Sequence, residues 1–203
     1  MRSYGRSDGS PSEAGLQRDA QAALDYLNTR TDLDRGRLVA IGRSLGGAVA
    51  AALAAANPGA LRAVVLENTF TSIPDMAGCL LPLLARLVGP GAPLNFLVKD
   101  TWCTESRVGA IAAPLLLICS GRDEMVPPAQ MRALRAAASA AGKARVTWLE
   151  LPEAHHMDAW HVGGAEYWGP FAEFLRANGC YGEQGAAQAA ADRPRAPLPA
   201  DSS

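Results

Sequence analysis

A serine set among small residues carries the strongest chemical signal in this sequence. Residues 42–47 are Gly-Arg-Ser-Leu-Gly-Gly and contain G-x-S-x-G, the pattern of a nucleophile elbow with Ser44 at its centre. The turn would strain the backbone of Ser44 and lift its Oγ above a sheet, while side chains at Gly42 or Gly46 would collide with neighbouring backbone. The N–H of Leu45, in the first turn of the next helix, is the expected oxyanion donor. A glycine-rich turn that only packs, or that binds phosphate, has the same composition, so the partners of Ser44 decide between these interpretations.

The histidines that could act as a base for this serine lie in one short stretch. The sequence has three histidines, and His155, His156 and His161 all follow the last predicted strand. Their position leaves either His155 or His156 as the base, whereas His161 is predicted to lie on the surface or to support the site. Together with Asp158 they could instead bind a metal, but adjacent histidines rarely point at one ion and a metal would leave the elbow unexplained. We therefore predict no metal and no other cofactor.

The acid that would orient the base is expected just after one of the predicted strands. Asp123 lies just past a predicted strand, and the order Ser44, Asp123, histidine is the chain order of nucleophile, acid and base in one hydrolase fold. Glu124 is one residue away and would point elsewhere. Glu67, after the preceding strand, is the alternative acid. A turn or helix-cap aspartate would also suit the position of Asp123.

Short apolar strands alternate with helices and would bring these residues to one edge of a sheet. The run Leu38–Ile41 has no polar alternation, which predicts a strand buried on both faces. Because helices follow the strands in turn, we predict a doubly wound, mostly parallel α/β sheet with the site at the C-terminal ends of its strands. The predicted strands are 38–41, 63–66, 115–119 and 146–151, and the predicted helices are 13–29, 45–56, 76–88, 127–141 and 163–178.

Composition predicts one globular domain with a tail. The 203 residues are 49% hydrophobic and 19% charged with a net charge of -1, which is typical of a globular protein and argues against nucleic acid as a partner. The four cysteines are widely spaced, as expected for reduced thiols. No signal peptide is evident, and the longest apolar run is shorter than the roughly 20 residues that span a bilayer. We predict a domain over 1–178 and a disordered tail, rich in Ala, Pro, Gln and Asp, over 179–203.

The segment 70–113 is a candidate lid over the site. An apolar lid would suit an acyl chain, but an ordinary amphipathic helix packed on the sheet would show the same pattern. Its large apolar residues are Ile73, Met76, Leu80, Leu81, Leu84, Phe96, Leu97 and Trp102.

Taken together, these motifs resemble the α/β-hydrolase superfamily, and in particular the branch of alpha/beta-hydrolase domain-containing protein 13 and its fungal and plant relatives. The resemblance runs from the first residue to about 178. It implies a serine hydrolase in which His156 is the base and Asp123 is the acid. The stretches that carry it are Tyr-Gly-Arg-Ser-Asp-Gly-Ser-Pro-Ser-Glu at 4–13, Gly-Arg-Ser-Leu-Gly-Gly-Ala-Val-Ala at 42–50, Glu-Asn-Thr-Phe-Thr-Ser-Ile-Pro at 67–74, and Leu-Pro-Glu at 151–153 with His156, Asp158 and Trp160.

The same resemblance implies segments upstream of residue 1. Members of this branch carry an N-terminal membrane segment, the first strands of the sheet and a His-Gly loop that supplies the second oxyanion donor. We therefore expect an α/β-hydrolase fold lacking its N-terminal strands, which is soluble or cytoplasmic as written and membrane-associated if an upstream anchor exists. In such a chain the strand Leu38–Ile41 becomes an edge, and self-association through that edge is expected.

The predicted function is hydrolysis of an ester or thioester through an acyl-enzyme on Ser44. The predicted substrate is a small acyl ester or thioester, or an acylated protein if the branch's suggested depalmitoylase activity applies. The alternatives are an amide hydrolase similar to serine peptidases, and a catalytically impaired fragment that acts as a binding or regulatory module.

Overall fold

The computed structural model describes residues 2–80, 99–142 and 146–181, which form helices and strands in alternation. The strands are β1 (Val39–Arg43), β2 (Ala63–Glu67), β3 (Leu115–Ser120) and β4 (Val146–Leu151), and a short 3-10 turn at Arg35–Arg37 precedes β1. The helices are α1 (Glu13–Thr29), α2 (Leu45–Ala56), α3 (Ile73–Leu80), α4 (Thr104–Val108), α5 (Pro128–Ala140), α6 (Ala159–Val162) and α7 (Gly164–Ala177).

The four described strands form one parallel sheet in the order β1-β2-β3-β4. Every residue of β2 and β3 is buried, as expected for central strands of a sheet covered on both faces. Because all strands run in the same direction, their C-terminal ends lie along one edge. The predicted parallel α/β architecture is confirmed, and the C-terminal edge lies just before Ser44, Asn68 and Gly121.

Alternating side chains of the strands build a core on each face of the sheet. On one face, Leu66 and Leu117 pack with Leu24 of α1 and Leu134 of α5. On the other face the apolar strand residues pack against α7, notably Tyr167. Helices therefore cover both faces, which confirms the doubly wound arrangement.

The strand leading to the serine is less buried than the sequence predicted. Burial of Leu38–Ile41 on both faces was expected, but Val39 and Ala40 are only partly buried and Ile41 is 58% exposed. The reason is position, because β1 pairs with β2 alone and its other edge faces no described strand. The prediction of two-sided burial is therefore wrong for β1, although the expectation of an edge strand holds within the described sheet.

The candidate lid is described only in part. Helix α3 begins at Ile73, earlier than predicted, because Ser72 caps it: the Asp75 N–H donates to Ser72 Oγ at 3.1 Å and Ser72 Oγ donates to Asp75 Oδ2 at 2.7 Å. Ile73 and Met76 pack against a buried cluster that includes Phe70 and Trp102, so this part of the segment behaves as an ordinary core-packed helix. Residues 81–98 and 182–203, which hold the rest of the predicted lid and nearly all of the predicted tail, lie outside the described residues.

The short helix α6 was not predicted from the sequence. Within the described ranges, no helix is both long enough and apolar enough to cross a membrane.

Candidate active site

Ser44 stands at the junction of β1 and α2 in a conformation that few non-glycine residues adopt. Its φ is 53° and its ψ is −125°, so the predicted backbone strain at the elbow is present. The Ser44 N–H donates to the carbonyl of Glu67 at 3.0 Å, and the Ser44 carbonyl accepts from Thr69 Oγ1 at 2.7 Å. The Ser44 hydroxyl forms no capping hydrogen bond with α2, so it remains available for chemistry.

The glycines of the elbow have different roles from those predicted. A Cβ at Gly42 would lie 2.1 Å from the carbonyl oxygen of Gly46, so Gly42 must be small as expected. The expectation for Gly46 is wrong, because a Cβ there would meet nothing within 4 Å among the described residues. The second close approach is instead at Gly47, where a Cβ would lie 2.6 Å from the Cβ of Thr69. The helix turns Gly46 away from the strand and Gly47 toward the end of β2.

Asp123 and His156 form a buried pair at the ends of β3 and β4. His156 Nδ1 lies 2.7 Å from Asp123 Oδ2, and the two side chains are 2% and 1% exposed. The other carboxylate oxygen of Asp123 accepts from the N–H groups of Met125 at 2.9 Å and Val126 at 2.7 Å, which fixes its rotamer. With Nδ1 donating to the carboxylate, Nε2 of His156 is the nitrogen left to accept a proton.

Backbone hydrogen bonds fasten the acid loop to the base loop. The N–H of Gly121 donates to the carbonyl of Leu151 at 2.8 Å, and the N–H of Arg122 donates to that of Ala154 at 2.9 Å. The approach is close enough that a Cβ at Gly121 would lie 2.4 Å from the carbonyl oxygen of Pro152. The two loops therefore present Asp123 and His156 as one unit.

The other histidines face away from this unit. His155 is exposed, and its Nδ1 lies 3.1 Å from Glu124 Oε2. A hydrogen bond from its own backbone N–H, followed by that with His155, lowers the pKa of Glu124. His161 is exposed, as expected. Because His155 and His156 turn to different carboxylates, they do not share a ligand set, and no group of three His, Cys, Asp or Glu side chains in the described ranges could hold a metal ion.

The alternative acid, Glu67, belongs to a different pair. Its Oε2 accepts from the hydroxyl of Tyr167 at 2.7 Å, on the face of the sheet covered by α7. Burial, and next the bond to Glu67, raises the pKa of Tyr167. The geometry thus assigns the carboxylate that meets His156 to Asp123 and gives Glu67 a separate buried partner.

Ser44 and His156 lie at the same edge of the sheet without a hydrogen bond between their side chains in this structure. No hydrogen bond joins Ser44 Oγ to the imidazole, although both residues are described. In unliganded enzymes such bonds are often long and tighten on binding substrate. Leu45 begins α2, so its N–H is one of the helix-end donors without an intrahelical acceptor, as the oxyanion prediction requires.

Sequence reasoning missed the role of one buried side chain at this edge. Asn68, which the sequence analysis used only as part of a motif, is fully buried with a φ of 46°. Its side chain contacts Ser120 and the main chain of His156. An asparagine directly after a buried strand is a signal for a left-handed residue and could have drawn attention to it.

Comparison with known proteins places these features in a wider group. The prolyl oligopeptidase family matches residues 14–168 of the chain. The chain is 48% identical over 179 residues to the alpha/beta hydrolase domain-containing protein WAV2 of Arabidopsis thaliana, a match that covers 86% of this chain and 58% of the relative. It is 37% identical over 178 residues to protein bem46 of Schizosaccharomyces pombe, covering 87% of this chain and 56% of that protein. The chain therefore spans little more than half the length of these curated relatives.

A solved structure shares the fold. The Pyrococcus furiosus esterase Pf2001 superposes with a TM-score of 0.66 at 19% identity, covering 87% of this chain and 68% of the esterase. At that identity the likeness concerns the fold alone.

Proposed function

The chain belongs to the prolyl oligopeptidase family of the α/β-hydrolase superfamily, and from this premise we propose that it is a serine hydrolase that cleaves an ester or a thioester through an acyl-enzyme on Ser44. The observation that carries the proposal is the strained Ser44 at the strand–helix elbow, on the same sheet edge as the buried Asp123–His156 pair. Strain at a non-glycine residue persists only where the surroundings enforce it, and it is concentrated at functional positions.

The first half of the reaction acylates Ser44. Its Oγ attacks the substrate carbonyl while His156 Nε2 takes the hydroxyl proton, and Asp123 stabilises the resulting imidazolium through Nδ1. The tetrahedral oxyanion accepts a hydrogen bond from the N–H of Leu45 at the positive end of α2. Collapse breaks the bond to the leaving alcohol or thiol, which receives the proton from His156.

The second half releases the acid. Water attacks the acyl group on Ser44 while His156 again takes a proton, and the hydroxyl of Ser44 is restored when the second tetrahedral species collapses. Each proton that leaves a nucleophile returns to a leaving group, so the site ends the cycle as it began. Asp123 accepts three hydrogen bonds and orients the imidazole without taking the transferred proton itself.

An acyl group of apolar character is the substrate that the surroundings of the base support. Met157 and Trp160 follow His156 in the sequence and are 57% and 49% exposed, so the segment that carries the base presents apolar surface. Such a surface favours an acyl chain over a charged group. Within this class we propose thioesters, including an acylated protein, alongside simple esters. Hydrolysis of an amide is the second candidate, which the description of the matched family supports.

The test uses a fluorophosphonate probe and two short substrates. Only an activated serine reacts with the probe. The wild-type chain should be labelled and should hydrolyse p-nitrophenyl butyrate and its thioester counterpart. Ser44→Ala should abolish labelling and lower turnover by a factor on the order of a million.

Adjacent histidines provide the matched control. His156→Ala removes the buried imidazole that faces Asp123, whereas His155→Ala removes an exposed one on the same loop. We expect a loss comparable with that of Ser44→Ala for His156→Ala, and near wild-type turnover for His155→Ala. An unlabelled wild-type chain with an intact fold would instead support the alternative of a binding module. That alternative draws on the absence of a hydrogen bond between Ser44 Oγ and His156 in this structure.

A further inference from the structure

A buried asparagine next to the proposed nucleophile has no part in the reaction above, yet it contacts several segments of the site. Asn68 directly follows β2, is 1% exposed and has a φ of 46°. Asparagine tolerates this left-handed conformation better than most residues, at a modest cost. Its N–H donates to the carbonyl of Ile118 at 3.0 Å, so its main chain extends the pairing of β2 with β3.

Both ends of the Asn68 amide are used. Oδ1 accepts from the N–H of Ser120 at 2.9 Å, while Nδ2 donates to Ser120 Oγ at 2.9 Å and to the carbonyl of His156 at 3.2 Å. Ser120 and His156 are 0% and 2% exposed, so water cannot readily replace these partners. The side chain therefore ties the main chain of the base to the ends of two central strands.

The residue before it holds the nucleophile in a similar way. The carbonyl of Glu67 accepts from the N–H of Ser44 at 3.0 Å, so two consecutive residues at the end of β2 hold the main chains of Ser44 and His156. Asp123 fixes the imidazole at Nδ1 only. A ring held at one atom can still tilt, and the main-chain anchor then decides where Nε2 lies relative to Ser44 Oγ.

We propose that Asn68 is a positioning residue that sets the distance between the base and the nucleophile by holding the carbonyl of His156. This inference rests on the proposed function. The competing explanation is that Asn68 only closes the end of the sheet through Ser120. The two explanations differ in which hydrogen bond of the amide matters.

Two substitutions separate these bonds. Asn68→Asp is nearly isosteric, keeps an acceptor for the N–H of Ser120, and allows the Ser120 hydroxyl to rotate and donate. It loses only the donor to His156, because a carboxylate oxygen then faces the carbonyl. The added negative charge would favour the imidazolium and so deplete the neutral base near neutral pH, so kcat is compared on the alkaline plateau of each variant's pH profile, where this depletion is absent. Ser120→Ala is the matched control, because it removes the other Nδ2 bond and leaves the bond to His156.

The experiment measures kcat and KM for p-nitrophenyl butyrate, with melting temperatures and fluorophosphonate labelling of each variant. We expect Asn68→Asp to lower kcat roughly ten- to a hundred-fold with little change in KM, as misplacement of a catalytic group does. Ser120→Ala should keep kcat within about two-fold, since it leaves the hydrogen bond from Asn68 Nδ2 to the carbonyl of His156 in place. Wild-type kcat in Asn68→Asp, or an equal loss in Ser120→Ala, would overturn the inference.

A second readout needs no turnover and separates this inference from the proposed function. The imidazole proton between His156 Nδ1 and Asp123 should give a strongly deshielded NMR resonance, assigned by its loss in Asp123→Asn. It should broaden or vanish in Asn68→Asp and persist in Ser120→Ala. If the wild-type chain shows the resonance but no Ser44-dependent activity, the proposed function fails. The anchoring of His156 is then still tested by whether the resonance changes in Asn68→Asp. An unchanged resonance in that variant refutes the anchor.

Discussion

Replacing Gly42 by alanine should damage both the fold and the nucleophile. The added Cβ would lie 2.1 Å from the carbonyl oxygen of Gly46, 2.5 Å from its carbonyl carbon and 2.7 Å from the N–H nitrogen of Gly47. All three atoms are backbone atoms in the first turn of α2, so no side-chain rotation can relieve the contact. The helix must move away from β1, or the elbow that holds Ser44 must open.

The expected destabilisation depends on whether the atoms that the new Cβ would contact can move away. Extra methyl groups in packed interiors cost about 1–3 kcal/mol when side chains can yield, and here only backbone can yield, so we expect about 3 kcal/mol. For a chain of this size each kcal/mol lowers the melting temperature by about 2–4 °C, which gives a decrease of roughly 6–12 °C. Fluorophosphonate labelling of Ser44 should fall with it, because the strained serine depends on this contact.

Gly46→Ala is the control, in the same motif and with the same added atom. Its Cβ would meet nothing within 4 Å in the described part of the chain, and alanine favours a helix over glycine by up to about 1 kcal/mol. Its melting temperature should be unchanged or slightly higher. Thermal unfolding of the two variants, measured side by side, tests whether the backbone contact at Gly42 is what destabilises the protein. If Gly42→Ala melts and labels as the wild type does, or if Gly46→Ala is equally harmful, the packing argument is wrong.

Three further predictions concern single side chains. Asp123→Asn should lower kcat roughly ten-thousand-fold without unfolding the protein, because the amide no longer holds the imidazole tautomer. Glu124→Gln, a change on the same loop, should have only a small effect on kcat. Similar losses of kcat in both variants would contradict the assignment of Asp123 as the acid. Burial raises the pKa of Cys119 to about 12, so its thiol should not react with a thiol reagent in mildly alkaline buffer, whereas the exposed Cys103 should be modified. Peptide mass mapping of the native protein after treatment would show which cysteine has reacted. Rapid modification of Cys119 would refute its burial. We propose that the edge of β1 that faces no described strand pairs with a second copy of the chain. Ile41→Lys should then lower the molecular mass measured by light scattering. An unchanged mass would argue against association through this edge.

Much of the architecture was predictable from local signals. The capping serine of α1 (Ser12), the apolar runs of β2 and β3 and the proline at the start of α5 each act within a few residues, and the elements lie where the sequence predicted them. The alternation of strand and helix then leaves few topologies for the chain. The order Ser44, Asp123, His156 places each residue after a different strand, so the sequence also indicated which sheet edge would hold them.

Choices between neighbouring residues required the fold. Sequence reasoning from the residues left His155 and His156 open, because adjacent residues differ only in which way a loop turns them, and that turn is set by bonds between the loops after β3 and β4. Gly46 and Gly47 present the same problem, since only the angle of α2 against β2 decides which of them approaches Thr69.

The exposure of β1 and the role of Asn68 depend on the longest-range contacts of all. Ile41 is as apolar as the residues of β2, and its exposure comes from its place at the edge of the described sheet, which no local pattern encodes. Asn68 reaches partners 52 and 88 residues away along the chain. The sequence by itself determined which elements form and which residues can do chemistry, because those properties come from side-chain type and short-range periodicity. The tertiary structure alone decided which of those residues meet, because a hydrogen bond between distant segments exists only once the sheet has brought their strand ends together.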